Sequence, residues 1–427
     1  MTATATMTRE AAIAAVVDPK AHADTPRLNA AFAWLRANEP LAHAVLPGFD
    51  PFTIVSKHAD ILEVSKDNTL FPYGDFPSTF APEQAVRRGR EAKAAGRPML
   101  YTLVQMDEPD HMKYRVLTQA WFLPQNIRKL EGRIRELARE AVDRMAAGGE
   151  CDFVEEVALH FPLRVIMEIL GVPREDEPRM LKLTQELFGA TDPDLSRAKG
   201  DETPEARMMA MQATMMDFFN YFRLLTQDRR ANPRDDLSST IANATVDGQP
   251  ISDLDAVSYY LIVATAGHDT TSSSTAGAMW ALAERPDELA KLRADPSLIG
   301  GLVDESIRWT TPVRHFMRMA AADTTLRGQA IAKGEWLMLC YPSGNRDEEV
   351  FESPFDFRVD RGPNKQLAFG YGAHVCLGQH LAKLEMRILW EELLPRLKSV
   401  ELAGQPKLSE ANFVNGPKAL PIRYVLT

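Results

Sequence analysis

The sequence is poor in cysteine, short of positive charge and without long apolar runs. Its 427 residues include 3 cysteines, Cys151, Cys340 and Cys376, with no C-x-x-C pair, which excludes a disulfide framework and a cysteine-rich zinc module. Lys and Arg number 49 against 59 Asp and Glu, and the net charge of −10 disfavours general nucleic-acid binding. No apolar run approaches the roughly 20 residues of a membrane span. These absences predict a cytoplasmic protein that binds neither nucleic acid nor membrane.

Helical periodicity dominates the remaining pattern. Apolar residues recur at 3- and 4-residue spacing over 126–147, 153–170, 204–230, 252–285, 298–310 and 376–398. Strand-like stretches are fewer, at 314–341, near 50–56 and at 399–427. No linker divides the chain, so we predict a mainly α fold with a minor β region, in one domain over 1–427.

Residues 71–104 read as a long irregular segment. Seven Gly and Pro fall between Pro72 and Pro98. A stretch of this length without secondary structure is usually functional or disordered. It is either a lid or pocket wall, or a mobile surface loop.

The surroundings of Cys376 are rich in glycine. The stretch 369–378 reads FGYGAHVCLG, and a predicted helix follows it. Glycine lets the backbone pass close to a flat ligand. The N–H groups of a helix N-terminus lower the pKa of a thiol beside them. A lone thiolate in this setting suits a single metal ligand better than a zinc cage.

This loop resembles that of the cytochrome P450 superfamily. Phe369, Gly372, Cys376 and Gly378 match its F-x-x-G-x-x-x-C-x-G pattern. The resemblance implies haem b with Cys376 as its axial thiolate. It also implies a single-domain cytochrome P450 fold, with haem between the long central helix and the cysteine-loop helix. Phe369, Gly370 and Gly378 would then lie against the cofactor.

The predicted long helix 252–285 has a weak centre. Ser252 and Asp255 form a capping-box start, and Arg285 before Pro286 ends the helix. Residues 266–275, AGHDTTSSST, are rich in poor helix formers. A stretch of poor helix formers within an otherwise regular predicted helix indicates a functional site.

This centre resembles the [AG]-G-x-[DE]-T-T signature of the same superfamily. The resemblance implies that Ala266 and Gly267 leave room beside the haem. It gives Thr270 the hydrogen bond at the oxygen site and Asp269 the relay of protons from solvent. His268 occupies the x position, which points away from haem, so we predict a solvated or capping histidine and not an iron ligand.

Two supporting sets follow from the same resemblance. Glu305 and Arg308 match its E-x-x-R pair, and Arg361 completes a buried triad that locks the fold. The haem propionates need cationic or donor partners. The resemblance supplies His111, Arg115, Arg318 and His374, although Arg314 lies near Arg318 and leaves that choice open.

The runs 264–274 and 376–385 further resemble the bacterial terpineol-hydroxylating branch. This resemblance implies a monooxygenase that inserts one oxygen atom from O2 into a C–H bond of a small apolar hydrocarbon, a monoterpene or an alkyl-aromatic. The substrate pocket is predicted to include Tyr101, Thr102, Leu103, Thr265, Ala266, Val313 and Phe316.

The electrons are predicted to come from another protein, because no G-x-G-x-x-G follows a strand. In bacterial relatives the donor is an iron–sulfur ferredoxin with its NAD(P)H-dependent reductase. Lys113, Arg128, Lys129 and Lys365 are either its docking patch or scattered solvated charges. We expect a monomer.

Three alternatives remain open from the sequence. The first is a non-catalytic haem-binding sensor or carrier of the same fold. The second is a zinc hydrolase that uses His374, Cys376 and His380. The third is a peroxide-driven enzyme of this fold, although that chemistry typically replaces the acid–alcohol pair.

Overall fold

Helices form most of the computed structural model, which describes residues 7–75, 77–96, 100–145, 149–199 and 203–427. The α-helices are α1 (Arg9–Val17), α2 (Pro19–His22), α3 (Thr25–Asn38), α4 (His58–Lys66), α5 (Glu83–Ala94), α6 (Asp110–Gln119), α7 (Pro124–Ile127), α8 (Glu131–Met145), α9 (His160–Leu170), α10 (Glu177–Phe188), α11 (Pro204–Ala231), α12 (Leu237–Ala242), α13 (Asp253–Ala266), α14 (Asp269–Glu284), α15 (Pro286–Ala294), α16 (Ile299–Thr310), α17 (Tyr341–Gly344) and α18 (Gln379–Leu393). The strands are β1 (Leu41–Ala44), β2 (Phe52–Val55), β3 (Glu150–Asp152), β4 (Thr245–Val246), β5 (Gln249–Pro250), β6 (His315–Met319), β7 (Thr324–Leu326), β8 (Gln329–Ile331), β9 (Trp336–Cys340), β10 (Leu397–Leu402), β11 (Lys407–Leu408), β12 (Pro417–Ala419) and β13 (Pro421–Leu426).

The long helices pack around α13 and α14 and enclose the largest hydrophobic cluster. The periodicity of α8 shows why they pack: Ile134, Leu137, Ala141 and Val142 recur at 3- and 4-residue spacing and are all buried. Each large apolar side chain buried in this way contributes about 1.5–3 kcal/mol. α8 contacts α18, the helix that follows Cys376, so this packing fixes the cysteine loop from behind.

Small sheets flank the helices. The four-stranded sheet has the order β1-β2-β9-β6, with β2 and β9 parallel and the other pairs antiparallel. A second sheet has the order β10-β13-β3, and the pairs β4-β5, β7-β8 and β11-β12 complete the described strands. β6 carries Phe316 and Arg318, so the larger sheet brings two predicted site residues to the helical core.

A buried ion-pair network fixes the chain before the cysteine loop, as predicted. Glu305 accepts hydrogen bonds from Arg308 Nε and Nη2 at 2.7 Å each. Arg361 Nε lies 3.1 Å from both carboxylate oxygens of Glu305. The side chains of Glu305 and Arg308 are 0% exposed, and the two arginines also donate to backbone carbonyls between 345 and 356.

The structure differs from the expected elements in two places. The segment 71–104 is not irregular throughout, because α5 occupies its middle; residues 76 and 97–99 lie outside the described residues. The sequence of α5, EQAVRRGREAKA, consists mostly of good helix formers, which the count of Gly and Pro obscured. The second difference is that the predicted helix 252–285 is two helices, α13 and α14.

Over the residues that the structure describes, no helix combines the length and the apolar character needed to cross a membrane.

Candidate active site

The break between α13 and α14 shapes the distal side of the site. α13 ends at Ala266 and α14 begins at Asp269. Gly267 N–H still reaches the carbonyl of Val263 at 3.2 Å, whereas His268 N–H makes only a long 3.4 Å contact to Thr265 O. The hydroxyl of Thr270 donates to the carbonyl of Ala266 at 2.9 Å. At the break, the carbonyl of Ala266 thus accepts a hydrogen bond from a side-chain hydroxyl, as expected for a Thr-rich stretch.

The two predicted catalytic residues lie on different faces of α14. Thr270, Ala266 and Gly267 line the large cavity between α14 and the cysteine loop. Asp269 instead lines a smaller polar cleft behind the helix, of about 580 Å³ with part of it open to solvent. Its Oδ2 is buried and accepts no hydrogen bond from the described residues. Successive residues of a helix point about 100° apart. The carboxylate of Asp269 therefore faces the cleft, while the hydroxyl of Thr270 faces the large cavity across the helix.

The side chain of His268 is buried and makes no capping hydrogen bond, contrary to the expectation, although the residue stands at the N-cap position of α14. Its side chain is 0% exposed and does not line the large cavity. Nε2 lies 2.8 Å from the carbonyl of Leu159, and Nδ1 lies 3.2 Å from the hydroxyl of Thr184. The interruption of the helix turns this residue inward between α9 and α10.

The cysteine loop closes on itself just before α18. Cys376 N–H donates to the carbonyl of Phe369 at 2.8 Å, and Val375 N–H donates to Gly372 O at 3.1 Å. Gly372 has φ of +73°, and a Cβ there would lie 2.3 Å from the carbonyl oxygen of Ser65, so no other residue fits. At Gly378 a Cβ would meet no described atom within 4 Å, which leaves open space beside the cysteine.

The thiol of Cys376 does not have the lowered pKa that its place before a helix predicts. Burial raises the pKa of Cys376, while the N–H groups of Gly378 and Gln379 and the charge of Arg115 act in the opposite direction. Desolvation therefore outweighs the helix N-terminus for the thiol. A cation at the sulfur would reverse this balance, because a coordinated thiol is deprotonated.

The large cavity holds about 1450 Å³, part of it open to solvent. Its walls come from the 3₁₀ turn Leu103–Gln105, α6, α13, α14, β6 and the cysteine loop. Most of its side chains are apolar, among them Leu103, Val104, Ile262, Val263, Val313, Phe316 and Leu377.

Four cationic or donor groups line this cavity without enough negative charge to balance them. Arg115 and Arg318 form no ion pair within the described ranges; they donate to the carbonyls of Val375 and Met317 at 2.8 Å each. The ring of His111 lies 4.1 Å from the ring of His374, and its buried Nε2 lacks a partner among the described residues. Burial, then the charges of Arg318, His111 and Arg115, lower the pKa of His374 to about 2. An excess of positive charge of this kind calls for an anionic ligand.

Arg314, the other arginine considered for this set, lies elsewhere. It donates to Asn415 and to the carbonyl of Thr310, and it does not line the cavity. Burial lowers its pKa to about 10.

The chain belongs to the cytochrome P450 family. Residues 79–422 match that family. The chain is 48% identical over 411 residues to cytochrome P450-terp from Pseudomonas sp, covering 96% of each protein. At 32% identity it is similar to steroid C26-monooxygenase from Mycolicibacterium smegmatis, over 92% of each protein, and to linalool 8-monooxygenase from Pseudomonas putida, over 92% of this chain and 95% of that protein.

The crystal structure of CYP108D1 from Novosphingobium aromaticivorans DSM12444 has the same fold. Its TM-score is 0.88 at 47% identity, covering 98% of this chain and 99% of that one. The chain is therefore a cytochrome P450 monooxygenase with haem held by a cysteine thiolate, in the predicted mainly α fold with minor sheets. The predicted resemblance, cofactor and enzyme class are confirmed.

The residues around the large cavity fit haem. Of the three cysteines, Cys376 alone lines the cavity. The glycines beside it leave room for a flat ring, and the unbalanced cationic groups suit the two propionate carboxylates. When bound, the haem supplies the activation of dioxygen. The predicted zinc alternative is not formed, because His374, Cys376 and His380 do not gather into a metal site in the described part of the chain.

The structure brings four of the seven predicted substrate residues to the cavity: Leu103, Ala266, Val313 and Phe316. Thr265 is turned away, 1% exposed, with its hydroxyl on the carbonyl of Leu261 at 2.8 Å. Thr102 bonds to Gln105 at the start of a 3₁₀ turn, and Tyr101 is 39% exposed. Neither of these two lines the cavity.

The sequence reasoning missed several lining residues, of which Ile262, Val263 and Glu385 are the most informative. Ile262 and Val263 lie one helical turn before Ala266, so helical spacing from Ala266 would have found them. Glu385 lines the cavity from α18 and is buried, with no hydrogen bond to Oε2 from the described residues. Burial raises the pKa of Glu385 well above the usual carboxyl value. No local pattern distinguishes this glutamate from an exposed one.

Proposed function

We propose that this enzyme inserts one oxygen atom from O2 into a C–H bond of a small apolar hydrocarbon, a monoterpene or an alkyl-aromatic. The supporting observation is the apolar wall of the large cavity, formed by Leu103, Ile262, Val263, Val313 and Phe316. Such a wall gains free energy by removing apolar ligand surface from water and offers no charge to an ionic ligand. The similarity to cytochrome P450-terp and to linalool 8-monooxygenase supports a terpene.

In this proposal Asp269 and Thr270 deliver protons to the reacting oxygen. Asp269 takes up protons from water in the polar cleft, and Thr270 presents its hydroxyl in the cavity on the other face of α14. The hydroxyl of Thr270 donates its hydrogen to Ala266 O. The lone pairs of the Thr270 hydroxyl oxygen therefore point away from that carbonyl. Ala266 and Gly267 keep bulk away from the oxygen site.

The cofactor-binding residues are proposed as a further set. Cys376 ligates the haem iron, His111, Arg115, Arg318 and His374 hold the propionates, and Phe369, Gly370 and Gly378 contact the ring from the cysteine side. Cys376, Arg115, Arg318, Phe369 and Gly378 all line the one cavity, which supports this assignment. We propose that the whole chain, 1–427, acts as one monomeric domain of this kind; its cytoplasmic location stays a prediction.

An iron–sulfur ferredoxin, reduced by an NAD(P)H-dependent reductase, is the proposed electron donor. Arg128 and Lys129 are exposed just before α8 and form no ion pair within the described residues, and Lys365 is exposed before the cysteine loop. Lys113 is a weaker candidate, because it is already paired with Asp247 at 2.7 Å and with Asp110 at 3.3 Å. The docking patch is therefore proposed to centre on Arg128, Lys129 and Lys365.

Product analysis with a reconstituted ferredoxin system tests the proposal. We expect hydroxylated product from monoterpenes or alkyl-aromatics, with electron consumption that depends on the substrate. Thr270→Ala should still bind substrate and accept electrons but divert most of the oxygen to hydrogen peroxide. Thr265→Ala is the matched control, since its hydroxyl also donates to a backbone carbonyl but does not line the cavity. Substrate binding without any product would favour the sensor or carrier, and equal coupling in the two variants would contradict the role of Thr270.

A further inference from the structure

The segment 71–104, which the sequence predicts to be a lid, a pocket wall or a surface loop, begins with a buried tyrosine of no assigned role. Tyr73 is 2% exposed and does not line the large cavity. Its ring instead contacts the side chain of Arg318, which lines the cavity and forms no ion pair within the described ranges. The geometry of this contact indicates what Tyr73 does.

The guanidinium group of Arg318 lies over the ring of Tyr73. Its Cζ atom is 3.9 Å from the ring centroid, well within the range of about 6 Å for a cation–π interaction. The rings of His374 and Phe316 stand edge-on to the Tyr73 ring, with centroids 5.0 and 6.4 Å away and interplanar angles of 83° and 80°. These two neighbours fix the plane of the Tyr73 ring, and the ring in turn fixes the guanidinium group.

Backbone hydrogen bonds hold Tyr73 from two sides. Its N–H donates to Oδ1 of Asp107 at 2.9 Å, just before α6. On the other side, the N–H of Met319 donates to the carbonyl of Pro72 at 2.8 Å. The strand that carries Arg318, β6, is therefore bonded directly to the residue before Tyr73. The aromatic ring and the guanidinium group thus lie on two pieces of backbone that are tied to each other.

The chemical nature of this contact leaves the charge of Arg318 uncancelled. A carboxylate could also hold the guanidinium group, but it would neutralise the charge that an anionic ligand needs. An aromatic ring attracts a cation through its quadrupole and carries no net charge. The other contact of Arg318 is the carbonyl of Met317, at 2.8 Å, which is also neutral. The positive charge is therefore held in place and remains available to the cavity.

From this geometry we propose that Tyr73 is a positioning residue for the cofactor, which holds Arg318 through its ring so that the guanidinium group meets a haem propionate. The inference rests on the proposed function, in which Arg318 holds a propionate. It also gives the first part of the segment 71–104 a role, because the chain there supports the propionate side of the site. Tyr73 acts through Arg318 alone, since it does not line the cavity itself.

Haem transfer from the ferric enzyme to apomyoglobin, together with the haem reduction potential, tests the proposal without turnover. Tyr73→Leu removes the aromatic ring and should speed haem release by about tenfold. It should also lower the reduction potential, because a displaced cation no longer stabilises the electron that the haem takes up. Tyr73→Phe keeps the ring and should stay within about threefold of the native rate. Phe71→Leu is the matched control for a smaller buried side chain, since Phe71 is 3% exposed and does not line the cavity, and it should keep the native potential.

A double-mutant cycle with Arg318→Leu tests whether Tyr73 acts through the arginine. Arg318→Leu alone should speed haem release, and adding Tyr73→Leu should change the rate by less than about twofold further. Multiplying effects, or equal effects of Tyr73→Phe and Tyr73→Leu, would overturn the proposal. Fast release from Arg318→Leu beside native release from Tyr73→Leu would overturn this inference alone. Native release from Arg318→Leu would overturn the proposed role of Arg318, and this inference with it.

Discussion

The buried triad makes the stability of the enzyme depend on a single charge, that of Glu305. Its carboxylate takes six contacts: two from Arg308 at 2.7 Å, two from Arg361 Nε at 3.1 Å, and one each from Asn364 and the backbone of Arg358 at 3.0–3.1 Å. Glu305→Gln preserves the volume, removes the charge and points an amide NH2 at donor groups. Breaking a buried pair on one side costs about 3–5 kcal/mol, because the remaining charge stays desolvated.

This cost converts into a measurable temperature. The unfolding entropy of about 2.1 cal/mol/K per residue gives about 0.9 kcal/mol per kelvin for 427 residues, so the thermal midpoint should fall by about 3–6 °C. Circular dichroism follows the helices, and the haem absorbance of the same sample follows retention of the cofactor. Because Arg361 leads into the cysteine loop, we expect haem loss to accompany unfolding at the lower temperature.

An exposed pair provides the control. Glu401 lies 2.9 Å from Arg423, with both side chains more than half exposed. Glu401→Gln should leave the midpoint within about 1 °C of the native value, because exposed pairs contribute little. Equal shifts for Glu305→Gln and Glu401→Gln would refute the reasoning that burial makes the triad stabilising.

Three further predictions concern the cavity wall, a buried acid and the docking patch. Val313→Phe should weaken binding of larger hydrocarbons by about tenfold or more and spare small ones, as followed by spectral titration; affinity unchanged for every ligand size would remove Val313 from the pocket. Because the pKa of Glu385 is raised, the folded protein keeps the carboxyl proton at pH values where the unfolded chain has lost it, that is, above pH of about 4.3. The free energy of unfolding should therefore fall by about 1.4 kcal/mol for each pH unit up to the pKa of the folded state. Glu385→Gln should therefore gain thermal stability relative to the native protein as pH rises from 5 to 8, and a gap independent of pH would contradict this. Arg128→Glu with Lys129→Glu should slow ferredoxin association, with an effect that shrinks as salt rises; reduction rates indifferent to both changes would place the docking face elsewhere.

Much of the fold and the centre of the site could be predicted because their signals are local. The cysteine loop is ten consecutive residues, and the poor helix formers after Ala266 mark the break in the central helix. The periodic helices, such as α8 and α16, carry their own burial pattern. These features depend on neighbours in sequence, which a single chain displays.

The errors arose where tertiary contacts decide the outcome. Thr265 and Ala266 are adjacent, yet a helix points them about 100° apart, and only the position of the helix decides which one meets the cavity. His268 lies in a polar stretch typical of exposed residues, but the helix break turns it against Leu159 and Thr184. Oε2 of Glu385 accepts no hydrogen bond from the described residues, so the burial of this side chain depends on how α18 packs.

The central claim, a haem-thiolate enzyme with Cys376 as the ligand, is tested most directly by the difference spectrum of the reduced protein with carbon monoxide. We expect the thiolate-type band for the native protein and its loss in Cys376→Ser. Cys151→Ser is the matched control, since Cys151 does not line the cavity, and it should keep the band. A native protein without that band, or a Cys376→Ser protein that retains it, would contradict the account.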